Sequence, residues 1–271
     1  MAEIHPCCLT IAGSDSGGNA GVQADLRAFH SYGLHGCTVF AALTAQNPRG
    51  VSAVHAVPPG FVAAQLDAVL GMYAIRALKT GMLAEASVIE VVADRVAAHP
   101  EILRVVDPVM VATSGARLVS DDAVDALKRR LLPLATLATP NLPEAAALCG
   151  AAGADAESLA RGVYDRFGCA VLVKGGHAVG GDAVDVFFDG RELRSFSMPR
   201  IADPVSTHGT GCTLAAALAA ELALGHGLVQ AIEGAKRHVH AAIAGSRFVG
   251  EGCGVLGFVH GVETSCRRRG R

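Results

Sequence analysis

In this chain of 271 residues, the side chains best suited to chemistry gather at the start of one helical segment. Thr207, His208, Gly209, Thr210, Gly211 and Cys212 run directly into the apolar stretch Thr213 to Leu218. Glycines immediately ahead of a strong helix let successive backbone N–H groups converge on an anion, and the helix dipole adds positive potential there. An ordinary glycine-rich start to a helix fits the same residues. No Walker sequence ending in Gly-Lys-Ser or Gly-Lys-Thr occurs, and the glycines from Gly13 to Gly21 lack the dinucleotide spacing, which disfavours a dehydrogenase. Further polar residues close short apolar runs: Gly13, Ser14 and Asp15; Gln46 and Asn47; Asp107; Asn141; and Lys174 with Gly175, Gly176 and His177. Strand ends are polar in any case, but five such ends together point to a ligand site beyond the carboxyl edge of a parallel sheet.

The elements that must position these residues follow from the hydrophobic pattern. Cys7 to Ala12 reads as a strand, Gly13 to Gly21 as a loop and Ala20 to Tyr32 as a helix stopped near Gly33. Strands are expected at Cys37 to Ala45, Val51 to Val57 (more exposed), Ile75 to Lys79, Leu103 to Val106, Thr136 to Ala138 and Cys169 to Val173. Helices are expected from Pro58 and Pro59 through Met72, at Ala86 to Ala98, Asp121 to Leu131, Pro143 to Cys149, Glu157 to Phe167, Cys212 to Leu224 and Leu228 to Ala244. Val184 to Phe188 and Leu193 to Ser197, flanking Asp189 and Gly190, form a hairpin pattern. Such alternation predicts an α/β fold, a three-layer α/β/α sandwich with a mainly parallel central sheet. With no linker or internal repeat, residues 1–271 read as one domain, its core at about 7–246 and a Gly-rich, basic tail at 247–271.

Composition narrows the function classes. Lys plus Arg number 23 against 25 for Asp plus Glu, so the net charge of −2 provides no overall pull on nucleic acid or an anionic membrane. Aromatics are 4% with no Trp, too few for a base-stacking surface, and 51% hydrophobic residues imply a sizeable core of small aliphatics. The eight cysteines lack any Cys-x-x-Cys pair, and most are expected to be buried reduced thiols. Met1 to Pro6 has no signal-peptide pattern and no apolar run reaches membrane-spanning length, so a cytoplasmic protein is expected. The cluster Arg267, Arg268, Arg269 and Arg271 reads as a solvated tail.

Seven collinear segments strongly resemble the hydroxymethylpyrimidine/phosphomethylpyrimidine kinases of thiamin biosynthesis, members of the ribokinase-like superfamily. They are Gly13 to Asp25, Thr44 to Asn47, Lys79 to Met82, Asp107 to Met110, Thr139 to Glu144, Val173 to His177 and Thr207 to Cys212. Gly250 to Gly254 is similar to the family's Gly-rich tail. Asn19 stands where that family more often has glycine. The resemblance implies phosphorylation by ATP and Mg²⁺ of 4-amino-5-hydroxymethyl-2-methylpyrimidine and then of its monophosphate. It implies a pyrimidine pocket from Asp25 and Gln46 with Gly13, Met82 and Val109; Mg²⁺ and phosphate groups at Asp107 and Glu144; and nucleotide contacts at Lys174, Asn141 and Thr207. Gly209, Thr210, Gly211 and Cys212 become the anion hole, Cys212 also the proton acceptor, with a helix N-terminus able to lower a thiol pKa and the incoming phosphate raising it. Ser114 and Gly115 are implied in a flap over the nucleotide, and a homodimer is implied by analogy. A pyridoxal-type kinase of the same superfamily, or a vitamin-precursor binding protein without turnover, remain the alternatives.

Overall fold

The computed structural model describes residues 5–110, 119–176 and 181–258. Strand β1 (Cys7–Asp15) leads through helix α1 (Gly21–Ser31) to β2 (His35–Asn47) and β3 (Gly50–Ala56), and α2 (Pro59–Leu70) leads on to β4 (Ile75–Thr80). Then come α3 (Ala86–Ala97), β5 (Leu103–Val106), α4 (Asp121–Ala126), β6 (Leu137–Ala138), α5 (Leu142–Cys149), α6 (Ala156–Phe167) and β7 (Ala170–Val173). A hairpin of β8 (Ala183–Phe188) and β9 (Leu193–Met198) precedes α7 (Thr210–Ala223) and α8 (Leu228–Ala244). Nine strands form one sheet in the order β3-β2-β1-β4-β5-β6-β7-β8-β9. From β2 to β7 the pairs are parallel; β3 at one edge and β8 with β9 at the other run antiparallel. This is the expected α/β architecture.

The parallel strands are apolar along both faces because helices cover both. In β1, Leu9 and Ile11 enter one core with Val62 and Leu66 of α2, Val88 and Val92 of α3, Leu148 of α5 and Leu159 of α6. Cys8 enters the opposite core with Phe29 of α1, Leu218 of α7 and Ile232 of α8. Every residue of α7 from Thr213 to Ala223 is buried. A helix apolar all round must be enclosed, and its alanines allow close approach to the sheet on one side and to α1 and α8 on the other.

Three local differences from the sequence pattern have physical causes. Strand β1 continues past a bulge between Ala12 and Gly13 and pairs Gly13, Ser14 and Asp15 with Ala42, Leu43 and Thr44, so the first loop begins farther along than expected. The helix expected to reach Leu131 is α-helical to Ala126 and continues to Leu131 as a π turn, stopping before Pro133, which has no N–H to extend the ladder. Within the supposed tail, β10 (Arg247–Gly250) and β11 (Cys253–Val255) form an antiparallel pair turned by Gly252, whose φ is +65°.

Candidate active site

Strand β1 has β2 on one side and β4 on the other, a point where the strand order reverses and a crevice opens at the carboxyl ends. Gly13, Ser14 and Asp15 form its floor, Thr44 and Gln46 of β2 one wall, and Lys79, Met82 and Val109 the other, with His208 and Cys212 across from them. Gly13, Gln46, Met82, Val109 and Cys212 are thus brought together as the sequence implied. The Thr44 hydroxyl lies 2.8 Å from the Ser14 carbonyl oxygen and 3.1 Å from Gln46 Oε1, an arrangement that leaves the Gln46 amide nitrogen as a donor.

The Gly-rich loop is tied by Asp15, whose carboxylate accepts N–H groups from Gly17, Asn19 and Ala20, each at 2.8 Å. Glycine is required at two points that bring the helix starts together. Gly21 has φ +57°, and a Cβ there would lie 2.4 Å from the Gly13 carbonyl oxygen. Gly209 has φ +87°, and its Cβ would lie 1.8 Å from the Asn19 carbonyl oxygen, so the start of α7 rests directly on the first loop. Asn19 is buried and has no left-handed backbone, so its departure from the family's glycine costs no backbone strain.

Beyond the residues that line the crevice, the strand ends toward β5 and β7 become ionic. Lys174 donates to Asp107 Oδ1 at 2.7 Å, and the Thr139 hydroxyl donates to the same oxygen at 3.1 Å. Asn141 caps α5 in a reciprocal box with Glu144: each side chain accepts the other residue's backbone N–H at 2.8 Å. A parallel bridge between Asn141 and Lys174 fixes these two strand ends side by side. Lys174 Nζ also comes within 3.7 Å of the position a Cβ would take on Gly211, which places the ammonium at the first turn of α7. Burial works against the Lys174 charge, but Asp107 and then Glu144 outweigh it and hold its pKa above the ordinary value. Glu144 is pushed up, by burial first and by the Asp107 charge as well, with Lys174 opposing. Two hard oxygen donors with surplus negative charge suit Mg²⁺, which completes its shell with water and phosphate oxygens rather than a full protein cage.

Two expected contacts are placed differently. Asp25 is wholly buried and does not line the crevice; Lys79 donates to both its oxygens, at 2.9 and 2.8 Å, and Thr10 donates at 2.6 Å. A carboxylate on the inner face of α1 is enclosed by the sheet, so in this structure the Asp25 oxygens are taken up by Lys79 and Thr10 and present no surface to the crevice. Thr207 is exposed and offers its carbonyl to the Thr210 N–H at 3.4 Å, marking the turn into α7, and it is not among the crevice residues. Ser114, Gly115, His177 and the Arg-rich tail lie outside the described residues.

The residue that sequence reasoning passed over is Lys79 itself, which is fully buried yet lines the crevice. Its signal was a lysine inside an apolar run that had to be a central strand. Burial alone would lower the Lys79 pKa, but Asp25, followed by Cys212 and Asp107, raises it above the ordinary value, so the ammonium stays charged. His208 was also given no role; its Nε2 is buried without a hydrogen-bond partner, 3.9 Å from Asp15 Oδ2. At Cys212, burial pushes the thiol pKa up, and Asp25 and Asp107 add to this, against Lys79 and the Gly21 N–H. The helix N-terminus therefore does not deliver the lowered pKa that its position suggested.

A switch-point crevice with a helix N-terminus, a charged lysine and two carboxylates defines the class of ribokinase-like phosphotransferases. A Bacillus subtilis pyridoxal kinase, solved as an ADP complex, superimposes with a TM-score of 0.86 and 34% identity, covering 94% of this chain and 97% of that one. The chain belongs to the phosphomethylpyrimidine kinase family, whose family model matches residues 15–257. It is 48% identical to the hydroxymethylpyrimidine/phosphomethylpyrimidine kinase of Rhizobium meliloti over 93% of this chain and 96% of that protein. It is also 49% identical to the thiamine biosynthesis bifunctional protein ThiED of Geobacter sulfurreducens, over 94% of this chain but 52% of that longer protein, so it spans about half of it. Among the described residues, no helix is long and apolar enough to cross a membrane.

Proposed function

We propose that the chain transfers the γ-phosphoryl group of ATP to the hydroxymethyl oxygen of 4-amino-5-hydroxymethyl-2-methylpyrimidine, and a second one to the resulting monophosphate. The supporting observation is the position of Cys212, which lines the same crevice as Gln46 while the first turn of its helix meets Lys174. Gln46 donates to a ring nitrogen, and Gly13, Met82 and Val109 enclose the ring. The hydroxymethyl oxygen attacks the γ-phosphorus, the bond to the ADP oxygen breaks, and the hydroxyl proton passes to Cys212 Sγ. Because the thiol pKa is raised, only a small thiolate fraction is present at neutral pH, and the buried Lys79 ammonium is the cation that offsets it. Backbone N–H groups from Gly209 to Cys212 receive the charge of the transferring phosphoryl, and Lys174 follows it. Asp107 and Glu144 would hold Mg²⁺, which supplies charge neutralisation to the nucleotide phosphates. Asn141 acts on the nucleotide side by fixing Glu144. We assign the described residues to one domain, since the two main cores rest on opposite faces of the same sheet.

The 34% identity to a pyridoxal kinase supports a second reading in which a pyridine bearing the same hydroxymethyl group is also phosphorylated. ADP release from ATP with each candidate substrate, followed by the mass of the product, separates the two. ADP release with the aminopyrimidine and products carrying one and then two phosphates are expected. Gln46→Leu is expected to lose about 1–3 kcal/mol of pyrimidine affinity through an unpaired polar edge, with the KM for ATP unchanged. Pyrimidine binding without ADP release would favour a binding protein instead.

A further inference from the structure

At the opposite end of β1 from the crevice, one side chain of β1 meets two of β2, about 30 residues further on, on one face of the sheet. Cys7 stands opposite His35 in the parallel register, and Cys37 lies two residues along β2 on the same side. The two sulfurs are 3.6 Å apart, and one atom each of Cys7, His35 and Cys37 lies within 4.8 Å of the other two. Both cysteines are buried and His35 is exposed, giving a site closed on the core side and open to solvent through the imidazole. Its ring is stacked on Tyr73, with centroids 5.5 Å apart and planes 15° from parallel.

As free thiols the two sulfurs are at hydrogen-bond distance, and the same spacing suits one further chemistry. A tetrahedral cation bound to two thiolates at about 2.3 Å sets the sulfurs about 3.8 Å apart. A disulfide requires about 2.05 Å, so these sulfurs would have to close by about 1.5 Å. We propose that Cys7, His35 and Cys37 bind one thiophilic divalent cation of the Zn²⁺ kind, with water in the fourth position, joining the starts of β1 and β2. Soft sulfur with imidazole selects such an ion over Mg²⁺, so the site is chemically separate from the carboxylates of the crevice. Binding exchanges two thiol protons for the cation: both S–H bonds break, two metal–sulfur bonds form, and two protons leave to solvent. Eight residue steps of β1 separate Cys7 from Asp15, about 26 Å of strand, so the cation would stabilise the sheet without touching the reacting groups.

The test titrates Co²⁺ into the reduced, chelator-stripped full chain. One equivalent with the visible bands of tetrahedral thiolate coordination and release of two protons is expected, and higher thermal stability with Zn²⁺. Cys37→Ser should abolish the bands. His35→Ala, at an exposed position that does not threaten folding, should weaken Co²⁺ binding about tenfold or more, since even an outer-shell partner is worth about 10- to 100-fold. ATP-dependent turnover of His35→Ala should equal the parent's. Absence of tetrahedral bands, bands unchanged in His35→Ala, or loss of two titratable thiols with a covalent Cys7–Cys37 link would overturn the proposal.

Discussion

Two lysine–aspartate pairs lie behind the same crevice, and their difference separates support from chemistry. Lys79 and Asp25 are both fully enclosed, and Thr10 completes the carboxylate's hydrogen bonding. Lys174 and Asp107 are at the same kind of strand end, but the lysine side chain retains 14% of its surface while the aspartate keeps 1%. A sealed pair cannot exchange partners, so its charge is fixed; it can only bias a neighbour, and Cys212 is that neighbour. A pair open on the lysine side can exchange a carboxylate for a phosphate. On the proposed function, the same two residue types therefore serve as a fixed field in one place and a movable contact in the other.

Breaking the sealed pair should have the largest effect. Lys79→Met leaves a buried, unpaired carboxylate and should cost about 3–5 kcal/mol in denaturant unfolding, whereas the double change Lys79→Met with Asp25→Asn should recover most of that loss. Equal loss in the single and double variants would contradict the pairing. At the open pair, Lys174→Met should reduce kcat by about 10²–10³-fold, as for loss of one donor to a developing anion, with a smaller stability cost than Lys79→Met. If Lys174→Met unfolds as readily as Lys79→Met yet turns over normally, the distinction between the two pairs fails.

Much of the fold was legible because buried parallel strands are continuous apolar runs bounded by glycine and polar residues. Cys7 to Ala12 and Cys169 to Val173 show this plainly. Register was not legible: the bulge after Ala12 carries Gly13 to Asp15 into the sheet, and only pairing with β2 reveals it. At the site, residues at the carboxyl ends of strands, such as Gln46 and Lys174, could be identified from strand-end position and family resemblance. The placement of Asp25 could not, because a carboxylate near the start of a helix looks the same whether it faces solvent or a buried lysine 54 residues further along the chain. Cys7 and Cys37 are likewise 30 residues apart and become neighbours only through parallel pairing, a proximity that no local cysteine spacing encodes.

On the proposed function, Cys212 accepts the hydroxymethyl proton in a field set by Lys79. Burial raises the thiol pKa, so the reactive thiolate fraction grows as pH rises toward that pKa and shrinks as pH falls. The most direct measurement is the single-turnover rate of the parent and of Cys212→Ser from about pH 6 to about pH 9, straddling the ordinary thiol value. The parent rate should climb with pH. The serine variant, with a far weaker acid in the same place and the same backbone donor, should be slower by about 10²-fold and nearly flat, with substrate binding retained. A serine variant within a few-fold of the parent across that range would contradict proton transfer to Cys212 and leave the thiol only orienting the hydroxyl.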